Sequence, residues 1–195
     1  MALEVELKFI DVDHESLKEN LKSVSAEFLS AHFEKNIVLD DPGRTLYKRS
    51  ALLRIREAGK TVMTVKRIPC LMPESGKAKV YEEYQSEISS LDEMISCLAV
   101  LGYYPVFRYE KFREKWQYDN CIICVDTLPF GYFVEIEGNE DDIIRCADAL
   151  DLDISTSSKK TYHELNREYR AQNGYAADEN FVFSDEQRLL LPMGT

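Results

Sequence analysis

Charged side chains recur at alternate positions along several stretches of this chain. In the first stretch, Leu3–Ile10, the charged residues Glu4, Glu6 and Lys8 alternate with apolar residues. Successive side chains of a β-strand point to opposite faces of a sheet, so these three charges would share one face. An ordinary strand with its polar face in water gives the same pattern. The return of dense charge on later strands instead favours a polar interior.

The later stretches repeat this alternation and together supply both basic and acidic groups. The residues predicted to share the polar interior are Glu4, Glu6, Lys8, Arg54, Arg56, Lys66, Lys79, Glu83, Glu87, Lys111, Arg113, Asp126, Glu135 and Glu137. Burying so many charges without a ligand would be costly, so the interior should be solvated or occupied. Arginine and lysine neutralise phosphoryl oxygens, and carboxylates hold hard cations. The pattern therefore predicts a site for a polyphosphate with Mg²⁺ or Mn²⁺.

Hydrophobic spacing and turn residues predict the elements of the first half of the chain. A helix opens near Asp13 and carries, at helical spacing, Leu17, Leu21, Val24 and Phe28. A short strand follows at Phe33–Leu39, and Arg44–Ser50 forms a basic connector or a single helical turn. Two hairpin strands come next, and a mobile loop is predicted from Pro69 to Gly76.

The second half is predicted to contain the longest strand, Lys77–Ile88, and three more helices. A capping box of Ser90 and Glu93 begins the first of these helices, whose inward residues are Met94, Ile95, Leu98 and Leu101. Asn139 caps the next helix, and the last begins near Lys159. About eight strands, mostly joined by hairpins, can close into a barrel with a wet interior. The predicted fold class is α+β, an eight-stranded antiparallel β-barrel with a charged interior and helices packed outside.

Composition indicates which classes of ligand the protein can bind and in which cellular compartment it is expected. The 195 residues and 45% hydrophobic content suit one domain, and a net charge of −11 disfavours a nucleic-acid binder with a broad basic surface. No apolar run approaches the roughly 20 residues of a membrane span. Five cysteines and no secretory signal before the first strand predict a reduced, cytoplasmic protein. Cys121 and Cys124 form a CxxC with strand-like neighbours, which favours core thiols over a metal or redox site.

The segment Glu4-Val5-Glu6-Leu7-Lys8 resembles the ExExK signature of the CYTH family, also called triphosphate tunnel metalloenzymes. The resemblance is closest to the class IV adenylate cyclase-like branch and covers about Leu3 to Leu165. Further matching motifs are Asp40-Asp41-Pro42, Leu53-Arg54-Ile55-Arg56, Thr64-Val65-Lys66, Tyr81-Glu82-Glu83, Arg108-Tyr109-Glu110-Lys111-Phe112-Arg113, Val125-Asp126 and the run from Phe130 to Gly138. A lone ExExK is common, whereas this ordered set is specific. Residues 1–173 would form the tunnel domain and 174–195 a tail, either docked or partly disordered.

The resemblance implies an eight-stranded tunnel that binds a triphosphate and requires a divalent metal. It assigns the metal to Glu4, Glu6 and Glu137. It assigns the phosphates to Lys8, Arg54, Arg56, Lys66, Lys111 and Arg113, with Lys79 and Glu83 on the same substrate-binding walls. Lys8, Glu135 and Asp126 would be catalytic, the two carboxylates assisting near the metal or orienting the bases. Tyr81 and Gln85 depart from the family, which often has Arg and Glu at these positions.

Three functions fit this assignment. Attack by water on the terminal phosphorus makes a triphosphatase that acts on inorganic triphosphate, a nucleotide or another organic triphosphate. Attack by the ribose 3′-hydroxyl on the α-phosphorus of ATP makes a class IV adenylate cyclase that releases pyrophosphate. A noncatalytic sensor of polyphosphate or nucleotide is the alternative of another class. Hydrolysis is the first expectation, because placing a water asks less of the protein than holding a ribose in line. The sequence leaves open whether the chain forms a dimer.

Overall fold

The computed structural model describes residues 2–69 and 78–192. The strands are β1 (Ala2–Ile10), β2 (Glu27–Asp40), β3 (Ala51–Ala58), β4 (Lys60–Arg67), β5 (Lys79–Glu87), β6 (Tyr104–Tyr118), β7 (Cys121–Leu128), β8 (Gly131–Glu137) and the two-residue β9 (Ser157–Ser158). The helices are α1 (His14–Ser23), α2 (Thr45–Lys48), α3 (Leu91–Val100), α4 (Glu140–Ala149), α5 (Tyr162–Gln172) and α6 (Asp185–Leu189), with a 3-10 turn at Ile154–Thr156. Of the predicted loop from Pro69 to Gly76, residues 70–76 lie outside the described residues.

One antiparallel sheet closes on itself to form a tunnel. The strand order is β5-β4-β3-β2-β6-β7-β8-β1, and β1 also pairs with β5, which completes the ring. The short β9 pairs with β1 as an addition to this ring. The tunnel is the space that the eight ring strands enclose. The predicted eight-stranded antiparallel tunnel with helices outside is therefore confirmed.

The apolar core lies outside the ring, between the strands and the helices. Leu7 and Phe9 of β1 point into an outer cluster with residues of α1 and α4, among them Leu17, Leu21 and Ile143. A second outer cluster joins β2 and β3 to α3. Full burial of each such side chain contributes about 1.5–3 kcal/mol, so these clusters hold the helices against the wall. The alternate residues of the strands are left to face inward.

The first helix is shorter than its apolar spacing predicts. Asp13 caps it by accepting from the Ser16 N–H at 2.7 Å, and its inner face buries two leucines. Ser25 has a φ of 56°, a left-handed conformation that turns the chain out of the helix. Phe28 therefore lies on β2, half exposed, and its predicted helical place is wrong. For the same reason β2 begins at Glu27 and is much longer than the predicted Phe33–Leu39.

Two of the later helix ends also differ from expectation. Ser90 caps α3 by accepting from the Glu93 N–H at 3.3 Å, which is one half of the predicted capping box. Within residues 78–192, capping boxes with both hydrogen bonds are found at Thr161 and at Ser184. Leu101 is 70% exposed because α3 ends at Val100, so its predicted inward position is wrong. The last long helix begins at Tyr162, three residues later than predicted. No helix in the described parts of the chain is long and apolar enough to cross a membrane.

Candidate functional site

The centre of the tunnel is a network of buried ion pairs. Strand register sets it, because Arg113 faces Asp126 across β6 and β7, and Lys8 faces Glu135 across β1 and β8. Arg113 donates from Nε and Nη2 to the two Asp126 oxygens, each at 2.6 Å, and also donates to Glu135. Lys111 donates to Asp126 Oδ2 at 3.0 Å, and Lys8 donates to Glu135. All five side chains are buried. The three cations and two carboxylates thus form one contiguous cluster, which we call the central network.

Both carboxylates of the central network stay ionised at neutral pH. Burial raises the pKa of Asp126, but the charges of Arg113 and Lys111 outweigh it and hold that pKa below its usual value. Burial likewise raises the pKa of Glu135, and Lys8 and Arg113 hold it well below its usual range. For Lys8, burial lowers the pKa, yet Glu135 and Glu6 leave it raised. These carboxylates are therefore poor proton acceptors, and the geometry suits them to fixing the three cations in place.

One mouth of the tunnel is rich in carboxylates. Lys66 lies between Glu4 and Glu83, with Nζ 2.5 Å from Glu4 Oε2 and 2.6 Å from Glu83 Oε2. Burial raises the pKa of Glu4 to about 7, with further increases from Glu83 and Glu6 and an opposing effect from Lys66. A cavity of about 670 Å³ opens here, and the polar side chains of its lining belong to Glu4, Glu83, Tyr84, Gln85 and Glu137. Pockets of this size hold small-molecule ligands.

The wall on the other side of Lys66 carries the two predicted arginines. Arg54 Nη1 donates to the Tyr109 hydroxyl at 3.1 Å, and Arg56 Nη1 lies 3.6 Å from Glu34 Oε1. Burial lowers the pKa of Arg54, but the Tyr109 oxygen and two nearby glutamates raise it overall, so its charge is secure. Five of the seven predicted basic residues thus donate hydrogen bonds to side chains of the tunnel, namely Lys8, Arg54, Lys66, Lys111 and Arg113. Lys79 Nζ stands 4.0 Å from Glu6 Oε1, at the limit of an ion pair.

Comparison with known proteins identifies the fold family. Residues 2–170 match the CYTH domain, which is most of the chain. The chain belongs to the CYTH family. The recognition made from the ExExK segment and its companion motifs is confirmed, and the charged tunnel is the CYTH tunnel of this protein.

Similar proteins bear two kinds of name. A Methanocaldococcus jannaschii protein provisionally named an adenylate cyclase is 26% identical over 176 residues, which cover 84% of this chain and 98% of that protein. A Vibrio parahaemolyticus structure, also provisionally named an adenylate cyclase, aligns with a TM-score of 0.69 at 23% identity over 84% of this chain and 97% of its own. A Hippeastrum structure is described as a provisional adenylyl cyclase with a dominant triphosphatase activity; it aligns with a TM-score of 0.57 at 16% identity over 92% and 99%. At these identities the two structures support the fold alone.

The CYTH metal set was assigned to Glu4, Glu6 and Glu137. Glu6 and Glu137 are direct neighbours across β1 and β8, and Glu4 follows Glu6 on the same inward face. Burial and neighbouring carboxylates raise the pKa of Glu4, and clustered carboxylates are the oxygen donors that a hard divalent cation prefers, so the residue types fit. Within residues 2–69 and 78–192, however, no three metal-binding side chains converge closely enough to hold an ion, and Glu4 instead pairs with Lys66. The metal set stays a prediction.

Two central residues were not singled out by sequence reasoning. Tyr162 of α5 enters the tunnel, where its hydroxyl donates to Asp126 Oδ2 at 2.7 Å and its ring lies 4.0 Å from Lys8 Nζ. Glu34 of β2 is wholly buried, with Lys111 Nζ 3.7 Å away. Tyr162 lies on a helix and so shows no strand alternation. Glu34 lies within the predicted strand Phe33–Leu39, but it shares its face there with Asn36 and Val38, so no repeated charge marks that face.

One predicted interior residue lies outside the tunnel. Glu87 pairs with Lys60 at 2.8 Å, and the Glu87 side chain is 59% exposed. Its position on the polar face of β5 was predicted correctly, but β5 ends at Glu87, beyond the enclosed part of the wall. The prediction that Glu87 lies in the interior is therefore wrong.

The two departures from the family pattern, Tyr81 and Gln85, also lie on β5. Gln85 donates to Glu83. Burial together with Glu6 raises the pKa of Tyr81.

The CxxC cysteines are buried, as predicted, but on opposite faces of β7. Cys121 contacts Cys146 in the outer core, whereas Cys124 Sγ points inward and donates to Glu137 Oε1 at 3.7 Å. Residues three apart on a strand point to opposite sides, so these two thiols do not converge on one ion. Burial raises the pKa of Cys124 to about 12, which keeps it a thiol at neutral pH.

Proposed function

We propose that this CYTH protein is a divalent-metal-dependent triphosphatase, in which water attacks the terminal phosphorus of an inorganic or organic triphosphate. The observation that carries the proposal is the central network, in which Lys8, Lys111 and Arg113 are held rigidly by Asp126 and Glu135 inside the tunnel. Fixed cations in a water-poor site stabilise the charge that develops on phosphoryl oxygens during in-line displacement. Arg54, Arg56, Lys66 and Lys79 extend this basic lining along the tunnel toward the mouth.

Charge balance supports the need for added cations. Each cation of the central network already faces a carboxylate, and Lys66 at the mouth faces two. A triphosphate carries several negative charges, so it would enter a tunnel whose own charges largely cancel. A divalent cation such as Mg²⁺ or Mn²⁺ would supply positive charge that offsets the charge developing on the phosphoryl oxygens. Glu4, Glu6 and Glu137 are the residues that would hold it.

Proton transfer is assigned away from the central carboxylates. Asp126 and Glu135 have lowered pKa values, so they would accept a proton from the attacking water only weakly at neutral pH. Their part in the reaction is to orient Arg113, Lys111 and Lys8. Tyr162 adds a hydroxyl donor to Asp126 and so helps to fix that carboxylate. The catalytic roles predicted for Asp126 and Glu135 are thus proposed as positioning roles.

Adenylate cyclase activity is the second candidate, favoured by the provisional names of the Methanocaldococcus and Vibrio proteins. The Hippeastrum protein, whose described dominant activity is triphosphatase, supports hydrolysis as the first candidate. Both reactions use the same cations, and they differ in which phosphorus faces the attacking oxygen. A noncatalytic sensor fits less well, because it would need the basic groups more than the full set of carboxylates at Glu4, Glu6, Glu135 and Glu137.

The deciding experiment incubates purified protein separately with inorganic triphosphate and with ATP, each with Mg²⁺ and with Mn²⁺. Orthophosphate, pyrophosphate and cyclic AMP are followed together. We expect orthophosphate from inorganic triphosphate, and its release should disappear in the Arg113→Ala variant. Cyclic AMP with matching pyrophosphate from ATP, and little orthophosphate from triphosphate, would establish the cyclase instead. Binding without any product would favour the sensor.

A further inference from the structure

The wall of the tunnel has a gap that the C-terminal segment fills. Strand β6 is longer than its partner on one side: β7 pairs only with Phe112 to Tyr118, whereas β2 pairs along the whole length. The edge of β6 before Phe112 is covered by the segment Asp178–Arg188. Phe181 N donates to Arg108 O at 3.2 Å, and Glu110 N donates to Phe181 O at 3.0 Å, as in a parallel strand pair.

Side chains of this segment fasten it at both ends. At its start, the Glu179 carboxylate pairs with Arg44 and lies 3.1 Å from His163 Nε2. At its end, Arg188 Nη2 donates to both Glu110 oxygens, at 2.8 and 2.9 Å. Gln187 also donates to the Pro129 carbonyl at 3.0 Å, in the turn between β7 and β8. The segment therefore bridges β6 to the β7–β8 turn across the gap.

The side chain that the segment delivers into the gap is Phe181, which is 4% exposed. Its ring stacks on the Tyr109 ring, with centroids 4.9 Å apart and an interplanar angle of 22°. The Tyr109 hydroxyl in turn accepts from Arg54 Nη1. Within the described residues Arg54 makes no ion pair, and its Nε has no hydrogen-bond partner. Tyr109 is thus the contact that sets the direction of the Arg54 guanidinium.

We infer that the segment Asp178–Arg188 serves as a wall strand of the tunnel, and that Phe181 positions Tyr109 and, through it, Arg54 for the phosphate chain. The role of Arg54 toward phosphate rests on the proposed function. The family match ends at residue 170, so this segment lies beyond the matched domain. Phe181 touches no phosphate ligand itself and is a positioning residue. A stacked ring restricts Tyr109 to one orientation, which lowers the ordering cost when Arg54 binds an anion.

The test compares full-length Phe181→Ala with Val182→Ala, its neighbour on the same segment, whose side chain is 45% exposed. Binding of inorganic triphosphate with Mg²⁺ is measured by calorimetry. We expect Phe181→Ala to raise the dissociation constant of triphosphate about tenfold, because part of the binding free energy of the charge-assisted contact from Arg54 would be lost. Val182→Ala should leave the dissociation constant unchanged. In the Arg54→Ala background, Phe181→Ala should add nothing. Further weakening in that double variant would show that Phe181 acts elsewhere and would overturn the inference.

A readout without ligand separates this inference from the proposed function. The nitrogen NMR signal of the Arg54 side chain, assigned from its loss in Arg54→Ala, should shift or broaden in Phe181→Ala and stay in place in Val182→Ala. Failure of the wild type to bind triphosphate would reject the proposed function, while the NMR comparison would still decide the positioning role. An unchanged Arg54 signal in folded Phe181→Ala would reject that role. If Phe181→Ala does not fold, Phe181→Leu, which keeps apolar volume but removes the flat ring, gives the same comparison.

Discussion

Replacing Asp126 by asparagine should destabilise the protein strongly, because this carboxylate is the hub of the central network. Its two oxygens accept from Arg113 at 2.6 Å, from Lys111 at 3.0 Å and from Tyr162 at 2.7 Å, and the residue is fully buried. The substitution keeps the shape and removes the charge. Arg113 would retain its ion pair with Glu135, and Lys111 would retain Glu34 at 3.7 Å.

The expected loss is about 3–5 kcal/mol in the free energy of unfolding, the range found when one partner of a buried ion pair is removed. Since domains of this kind are stable by about 5–15 kcal/mol, the variant should unfold at a clearly lower urea concentration. Asp148→Asn, on the exposed side of α4, is the matched control and should change stability by less than about 0.5 kcal/mol. A loss under about 1 kcal/mol for Asp126→Asn would show that the central network is well hydrated.

The same variant also tests whether the central cations are accessible to an anion. With one negative charge removed, inorganic triphosphate added without metal should raise the melting temperature of Asp126→Asn more than that of the wild type, because uncompensated Arg113 and Lys111 would gain a partner. Turnover should still fall, since Arg113 is no longer oriented on two sides. A destabilised variant that triphosphate does not rescue would refute the view that phosphate reaches this part of the tunnel.

Three further predictions concern the carboxylates of the tunnel and Tyr162. Glu6→Gln should abolish metal-dependent turnover while the melting temperature stays near that of the wild type. Glu93→Gln on α3 is the control. Near-normal turnover of Glu6→Gln would contradict the metal-binding role of Glu6. Tyr162→Phe should cost about 1–3 kcal/mol, because it strips one donor from buried Asp126 but keeps the ring over Lys8, and urea unfolding measures it. The free energy of unfolding should fall as pH falls below about 4, because Asp126 and Glu135 have lower pKa values in the folded state than in the unfolded state. Their contribution to stability is complete above the unfolded pKa values and is lost when the two carboxylates are protonated. A free energy of unfolding that stays constant between pH 5 and about 3 would contradict this.

Alternation of charged and apolar residues predicted most of the wall and of the central network. It succeeds because a strand with an apolar outer face and a charged inner face has a strict period of two, as in Glu4, Glu6 and Lys8. Prediction from spacing fails where apolar residues keep helical spacing beyond the end of a helix. Leu17, Leu21, Val24 and Phe28 keep helical spacing, yet the left-handed turn at Ser25 sends the last of them into β2. A local backbone conformation of this kind leaves no mark on hydrophobic spacing.

Alternation fixes the face of a strand but not the depth of a residue within the tunnel. Glu87 has the same parity as Glu83, and yet one is exposed at the end of β5 while the other lies beside Lys66. Depth depends on where neighbouring strands end, which is a property of the whole ring. Tyr162 was missed for a related reason. Its place beside Asp126 depends on α5 packing across the tunnel, and its own helical pattern indicates only an apolar face.

The ion pairs at the mouth and at the centre of the tunnel differ in how readily a bound phosphate could replace one of their carboxylates. The central carboxylates are each held by two or more donors, so a phosphate group would gain little by displacing one of them. Lys66, in contrast, is shared between Glu4 and Glu83 beside an open cavity. If Lys66 binds phosphate, as the family resemblance implies, its departure would free Glu4, one of the proposed metal ligands. Phosphate and metal would then favour each other's binding, and by linkage the coupling would be equal in both directions.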